Sequence, residues 1–81
     1  MHEAGHIEDL IEAVEKSLKE QGHEGEVKKV YVRLGKDGHV SEESFKFWFD
    51  SLSKGTKLEN AVLDLTMIDG EDIFMDSFEI E

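Results

Sequence analysis

The chain has 81 residues, of which nine are basic and twenty acidic, so its formal net charge is −11 before histidine is counted. This length predicts one small domain, and so acidic a chain repels nucleic-acid phosphates and anionic lipids. The sequence has no cysteine, which excludes disulfides, thiolate zinc sites and cysteine nucleophiles. It also has no apolar run long enough to span a membrane and no signal peptide pattern. We therefore expect a cytoplasmic protein that binds neither nucleic acid nor membrane.

The first half of the chain predicts a helix followed by a strand. Apolar residues recur at helical spacing up to Gly22, where the helix is expected to end. From Val27 to Leu34 the apolar period becomes two, which is typical of a half-buried strand. The helix stripe consists of Ile7, Leu10, Ile11, Val14 and Leu18. The outer face of the sheet, expected to meet water or a partner, carries Lys29, Tyr31, Arg33 and Thr66.

A second helix is predicted after residue 40. Ser41 followed by Glu42 and Glu43 is a typical helix start, because a hydroxyl caps free amides and carboxylates favour the positive helix end. Gly55 is expected to end this helix. Its apolar stripe consists of Phe45, Trp48, Phe49 and Leu52, with Phe47 near the edge.

Two strands are predicted to close the chain. Alternation from Leu63 to Met67 predicts the first of them. The second spans Ile73 to Ile80, and its apolar phase changes midway, so we expect a bulge near Asp76-Ser77. Between the strands, Asp69-Gly70 is typical of a two-residue hairpin turn. We therefore expect these strands to pair as a C-terminal hairpin.

Together these elements predict an α/β fold in the order α-β-α-β-β. We expect a two-layer sandwich with two helices on one face of a three-stranded mixed sheet, because a strand–helix–strand crossover favours parallel pairing and a hairpin requires antiparallel pairing. The whole range 1–81 is expected to be a single domain. The sequence leaves its oligomeric state open.

The start of the chain carries a metal-binding pattern. The α-amine of Met1, the amide nitrogen of His2 and the Nδ1 atom of its imidazole can close fused chelate rings around a metal ion. The amide nitrogen of Glu3 can complete a plane, and such nitrogen sets suit Ni(II) and Cu(II). Because the amine and imidazole must lose protons, binding should fall in acid. The alternative is a chance Met-His start without function.

The same residues spell a second pattern, the H-E-x-x-H signature of zinc peptidases, at residues 2–6. A catalytic site also needs a rigid helix, a third protein ligand and a substrate cleft, yet Gly5 weakens a helix and nothing marks the third ligand. His6 is a candidate additional metal ligand, since it follows one helical turn later. His39, in the loop before the second helix, is a minor candidate. His23 is interpreted as a solvated loop residue.

Further residues extend the pattern beyond the start of the chain. In the range 30–65 they are Gly35, Val40, Phe47, Phe49, Lys54-Gly55-Thr56, Glu59, Ala61 and Leu63. Their order and spacing, together with Met1-His2-Glu3 opening an amphipathic helix, resemble the HypA family, the nickel chaperones that help to load hydrogenase and urease. The range 77–81 resembles the final strand of that family.

This resemblance implies a metallochaperone rather than an enzyme, with Ni(II) held by Met1, His2 and Glu3 for a hydrogenase or urease maturation partner. It implies no catalytic residue and no further cofactor. HypA proteins carry a zinc domain with paired Cys-x-x-Cys motifs between the last two strands. Here a turn at 69–70 replaces it, so no structural zinc is expected. The alternative function is an acidic protein-interaction module without metal delivery.

Overall fold

A computed structural model describes the backbone from His2 to Glu81 and the side chains from Gly5 onward. The predicted α/β class, element order and three-stranded mixed sheet are confirmed. No helix in the described part of the chain is long and apolar enough to cross a membrane. The elements are α1 (His2–Glu20), β1 (Val27–Gly35), α2 (Glu42–Leu52), β2 (Val62–Ile68) and β3 (Ile73–Ile80).

The central strand of the sheet is β1, and the strand order is β2-β1-β3. It pairs in parallel with β2 and antiparallel with β3. The predicted C-terminal hairpin is therefore wrong, because β2 and β3 lie on opposite sides of β1. A type I′ hairpin turn needs positive φ at both central residues. Of the Asp69-Gly70 pair only Gly70 has a positive φ, at 101°.

Residues 69–72 instead form a crossover that passes over the end of β1. The N–H of Gly35 donates to the carbonyl of Asp72 at 2.8 Å, and the N–H of Asp37 donates to the carbonyl of Gly70 at 2.9 Å. A Cβ added to Gly35 would lie 2.7 Å from the carbonyl carbon of Gly70 and 2.9 Å from the amide nitrogen of Asp72. Glycine at position 35 is therefore what allows the crossover to contact the strand end.

A single apolar core joins both helices to one face of the sheet. The predicted stripes of α1 and α2 supply it, since spacings of three and four residues place side chains on one helix face. Val30, Val32 and Leu34 of β1 cover it from the sheet side. The remaining buried core residues are Ile7, Ile11, Val14, Leu18, Val27, Val40, Phe45, Phe49 and Leu58.

The predicted start of α2 is confirmed by its N-terminal cap. The hydroxyl of Ser41 accepts a hydrogen bond from the N–H of Ser44 at 3.1 Å, which satisfies one of the free amides of the first turn. The helix ends at Leu52 with Ser53 as its C-cap, before the predicted end at Gly55, which has a φ of 81° and lies in the following turn. Phe47, predicted at the stripe edge, is 62% exposed.

The predicted bulge in β3 is also confirmed. The register against β1 shifts between Ser77 and Met75, which leaves Asp76 as the extra residue. As a result Met75 and Phe78, which differ in parity, both pack against the core. Ile80, at the end of the strand, is 38% exposed.

Candidate metal centre at the start of the first helix

The predicted nickel ligands are at the start of the chain. Met1 lies outside the described residues, and so do the side chains of His2 and Glu3, so this ligand set remains a prediction. The backbone of α1 begins at His2. The first N–H groups of a helix have no acceptor within that helix. The amide nitrogens of His2 and Glu3 are thus not committed to intrahelical hydrogen bonds.

A cleft of about 390 Å³ opens beside the first turns of α1. Its walls come from three separate segments: α1 supplies His6, the loop after β1 supplies Gly38 and His39, and the crossover supplies Glu71 and Asp72. Both imidazoles and both carboxylates are exposed to solvent. The fold therefore brings nitrogen and oxygen donors together beside the first turns of α1.

Backbone contacts hold the loop after β1 against the crossover, and these two segments form two sides of the cleft. The N–H of Lys36 donates to the carbonyl of Ile68 at 2.9 Å. A Cβ added to Gly38 would lie 2.6 Å from the carbonyl oxygen of Glu71, so glycine is needed for the close approach. These contacts place the loop that carries His39 beside the crossover. Sequence patterns indicate His39 but not Glu71, because no local pattern shows that the crossover lies against this loop.

Before a metal ion binds, the side chains that line the cleft do not form a metal-binding set. Within residues 5–81, no three His, Asp or Glu side chains converge in a way that would hold a metal ion. His6 and His39 line the same cleft, as a pair of additional ligands would require. Any ion bound there would have to recruit these exposed side chains by rotation.

The outer face of the sheet carries paired charges. Lys29 Nζ lies 3.6 Å from a carboxylate oxygen of Asp64 and 5.0 Å from the centre of the Tyr31 ring. The Tyr31 hydroxyl donates to Glu79 at 2.5 Å, and this hydrogen bond raises the pKa of Tyr31 above its usual 10.0. The negative charge that Tyr31 carries when it ionises in turn raises the pKa of Lys29. As predicted, this face does not contribute to the core.

His23 lies beyond the other end of α1 and is not solvated as predicted. Its ring is half-buried because it packs over Gly25, where an added Cβ would lie 2.9 Å from Nε2. That nitrogen is buried and has no hydrogen-bond partner in the described part of the chain. His23 is therefore separate from the cleft that contains the other described histidines.

Comparison with known proteins decides the family. A family model described as the hydrogenase/urease nickel incorporation metallochaperone HypA matches residues 1–73. The chain belongs to the HypA family. The hydrogenase maturation factor HypA of Methylocella silvestris is 37% identical over 71 residues, covering 88% of this chain and 62% of that protein. HypA of Trichormus variabilis is 36% identical over 70 residues, covering 86% of this chain and 58% of that protein.

The HypA resemblance stated from the sequence motifs is thus confirmed. The family is one of metallochaperones rather than catalytic enzymes, which agrees with the prediction. This HypA-family chain spans about three fifths of the length of the curated relatives it matches.

Proposed function

We propose that this chain binds Ni(II) at its amino terminus and delivers it to a maturation partner of hydrogenase or urease. The observation that carries the proposal is the match to a nickel-incorporation family, which begins at residue 1 and so includes all three predicted ligands. The relatives named as hydrogenase maturation factors favour the same role.

The proposed ligands are the α-amine of Met1, the amide and imidazole nitrogens of His2, and the amide nitrogen of Glu3. The helix start at His2 supports this set, because amides in the first turn are free of intrahelical acceptors. A planar nitrogen field suits both Ni(II) and Cu(II), and copper is bound more tightly by intrinsic affinity. Selection of nickel then comes from metal supply and from the partner that accepts the ion.

Electrostatics around the helix start help to hold a cation. The positive end of a helix opposes a bound cation by itself. The exposed carboxylates of Glu8 and Asp9 lie in the first two turns, and those of Glu71 and Asp72 line the adjacent cleft. Within a chain of net charge −11, they offset the helix dipole and attract divalent cations.

We also propose that the range 1–81 forms one nickel-binding domain in which the crossover at 69–72 occupies the place where other HypA proteins carry the zinc domain. This proposal is supported by the pairing of β3 with β1 along the whole of β3, although the connection between β2 and β3 is short. An insertion in the crossover would enter and leave beside the end of β1 without interrupting either ladder. Structural zinc is not part of this proposal.

The deciding experiment is a calorimetric Ni(II) titration of untagged protein whose mass confirms an unmodified Met1. Acetylation of the amine, or His2→Ala, should abolish tight binding because each removes a chelating nitrogen. His23→Ala is the matched control and should leave the affinity unchanged. Tight binding that survives acetylation would contradict the terminal chelate.

Two other outcomes would favour the alternative functions. An unmodified protein without saturable metal binding would favour an acidic interaction module. Zinc-dependent peptide cleavage that disappears in Glu3→Gln would favour the peptidase.

A further inference from the structure

Two imidazoles from distant parts of the sequence line one cleft. His6 comes from α1 and His39 from the loop after β1, while Glu71 and Asp72 form the wall contributed by the crossover. We propose that this cleft is a second divalent-metal site, in which His6 and His39 bind Ni(II) more weakly than the terminal chelate does. The role of this second site in holding nickel before delivery rests on the proposed function, whereas its ability to bind Ni(II) does not.

The donor chemistry of the cleft fits a borderline transition metal ion. Imidazole nitrogen suits Ni(II), Cu(II) and Zn(II), whereas carboxylates and water are the preferred ligands of harder ions such as Mg²⁺. The cleft has a volume of about 390 Å³, which leaves room for the waters that complete the coordination of an ion held by two side chains. The two imidazoles therefore determine which class of ion binds.

The site is expected to be weak for a structural reason. No three donors in residues 5–81 converge before metal binds, so exposed side chains must lose rotamer freedom when an ion enters. The backbone that carries them is nevertheless fixed, because Gly38 packs against Glu71 and Lys36 is hydrogen-bonded to Ile68. Binding then reorganises side chains and leaves the fold unchanged.

His6 places this cleft close to the described start of α1. His6 follows His2 by four residues of continuous helix, and a rise of about 1.5 Å per residue separates their backbones by roughly 6 Å along the axis. An ion held by His6 would therefore lie about one helical turn from the backbone of His2.

The test uses protein carrying His2→Ala and an acetylated amine, so that the terminal chelate is removed. Paramagnetic Ni(II) is titrated while the imidazole proton signals are followed by nuclear magnetic resonance. We expect the signals of His6 and His39 to broaden together and saturably, and the signal of His23 to stay sharp. Broadening of all three signals alike, or no saturable broadening, would overturn the proposal.

Substitutions in the same background supply the second readout. An outer-shell partner of a metal site is typically worth about 10- to 100-fold in affinity, so losing a direct imidazole should weaken Ni(II) binding by at least about tenfold. We expect this loss in His6→Asn and in His39→Asn, but not in the control His23→Asn, with circular dichroism confirming the fold of each variant. Equal affinity in all three variants would refute the paired site.

The two proposals fail in different ways. If acetylation of otherwise unchanged protein leaves tight binding intact, the terminal chelate is wrong whatever the cleft does. If the tight equivalent is lost but no weaker equivalent depends on His6 and His39, only the second site is wrong.

Discussion

Substituting Gly35 by alanine is the most direct test of the crossover topology. The new Cβ would lie 2.7 Å from the carbonyl carbon of Gly70 and 2.9 Å from the amide nitrogen of Asp72, compared with 3.4–4 Å for an ordinary contact. Both neighbours are backbone atoms, and Asp72 is tied to the same strand end by a 2.8 Å hydrogen bond. The crossover must therefore move as a unit. Overpacking of this kind costs about 1–3 kcal/mol, so we expect a loss of about 2 kcal/mol.

Urea denaturation followed by circular dichroism measures this loss. With a slope of about 1 kcal/mol/M for so small a domain, the midpoint should fall by about 2 M. Gly5→Ala is the control, because nothing lies within 4 Å of its added Cβ. That exposed helical position should gain about 0.5–1 kcal/mol on losing glycine. A Gly35→Ala midpoint at or above that of the wild type would refute the close crossover and make the hairpin topology tenable again.

Three further predictions test the core, the cap and the outer face. Phe45→Ala removes a fully buried ring and should cost about 3–5 kcal/mol in thermal unfolding, whereas Phe47→Ala, at a side chain 62% exposed, should change stability by less than about 0.5 kcal/mol. Ser41→Ala should cost about 1 kcal/mol through the lost cap, and Ser41→Asp should restore it; equal stability of serine and alanine would contradict the capping role. Glu79→Gln should lower the pKa of Tyr31 toward 10.0, as followed by tyrosinate absorbance of the single tyrosine. The pKa of Tyr31 is higher in the folded than in the unfolded protein, so the hydrogen bond to Glu79 stabilises the fold fully below pH 10.0. This stabilisation is lost as the pH rises through the folded pKa. The Glu79→Gln variant should therefore lose less stability than the wild type over the same pH range.

Local patterns predicted the elements of this fold well because the forces that create them are local. Ser41 caps α2 whatever packs above it, and the phase change in β3 can be accommodated only by an extra residue such as Asp76. The pairing partner of β3, by contrast, depends on contacts between segments that are distant in the sequence. Asp69-Gly70 has the composition of a hairpin turn, but the pairing of β3 with the open edge of β1 outweighs this local preference. Gly35 makes that pairing possible because it allows the chain to cross the end of β1.

The sequence by itself determined the apolar faces and the family resemblance, and it predicts the terminal nitrogen donors, because each depends on residues that are neighbours or share one period. Only the tertiary structure decided which strand is central and which side chains share the cleft. His6, His39 and Glu71 are separated by more than thirty residues at each step. They meet because the core orients α1 against the sheet and glycines let two loops approach, and neither effect leaves a pattern in the linear chain.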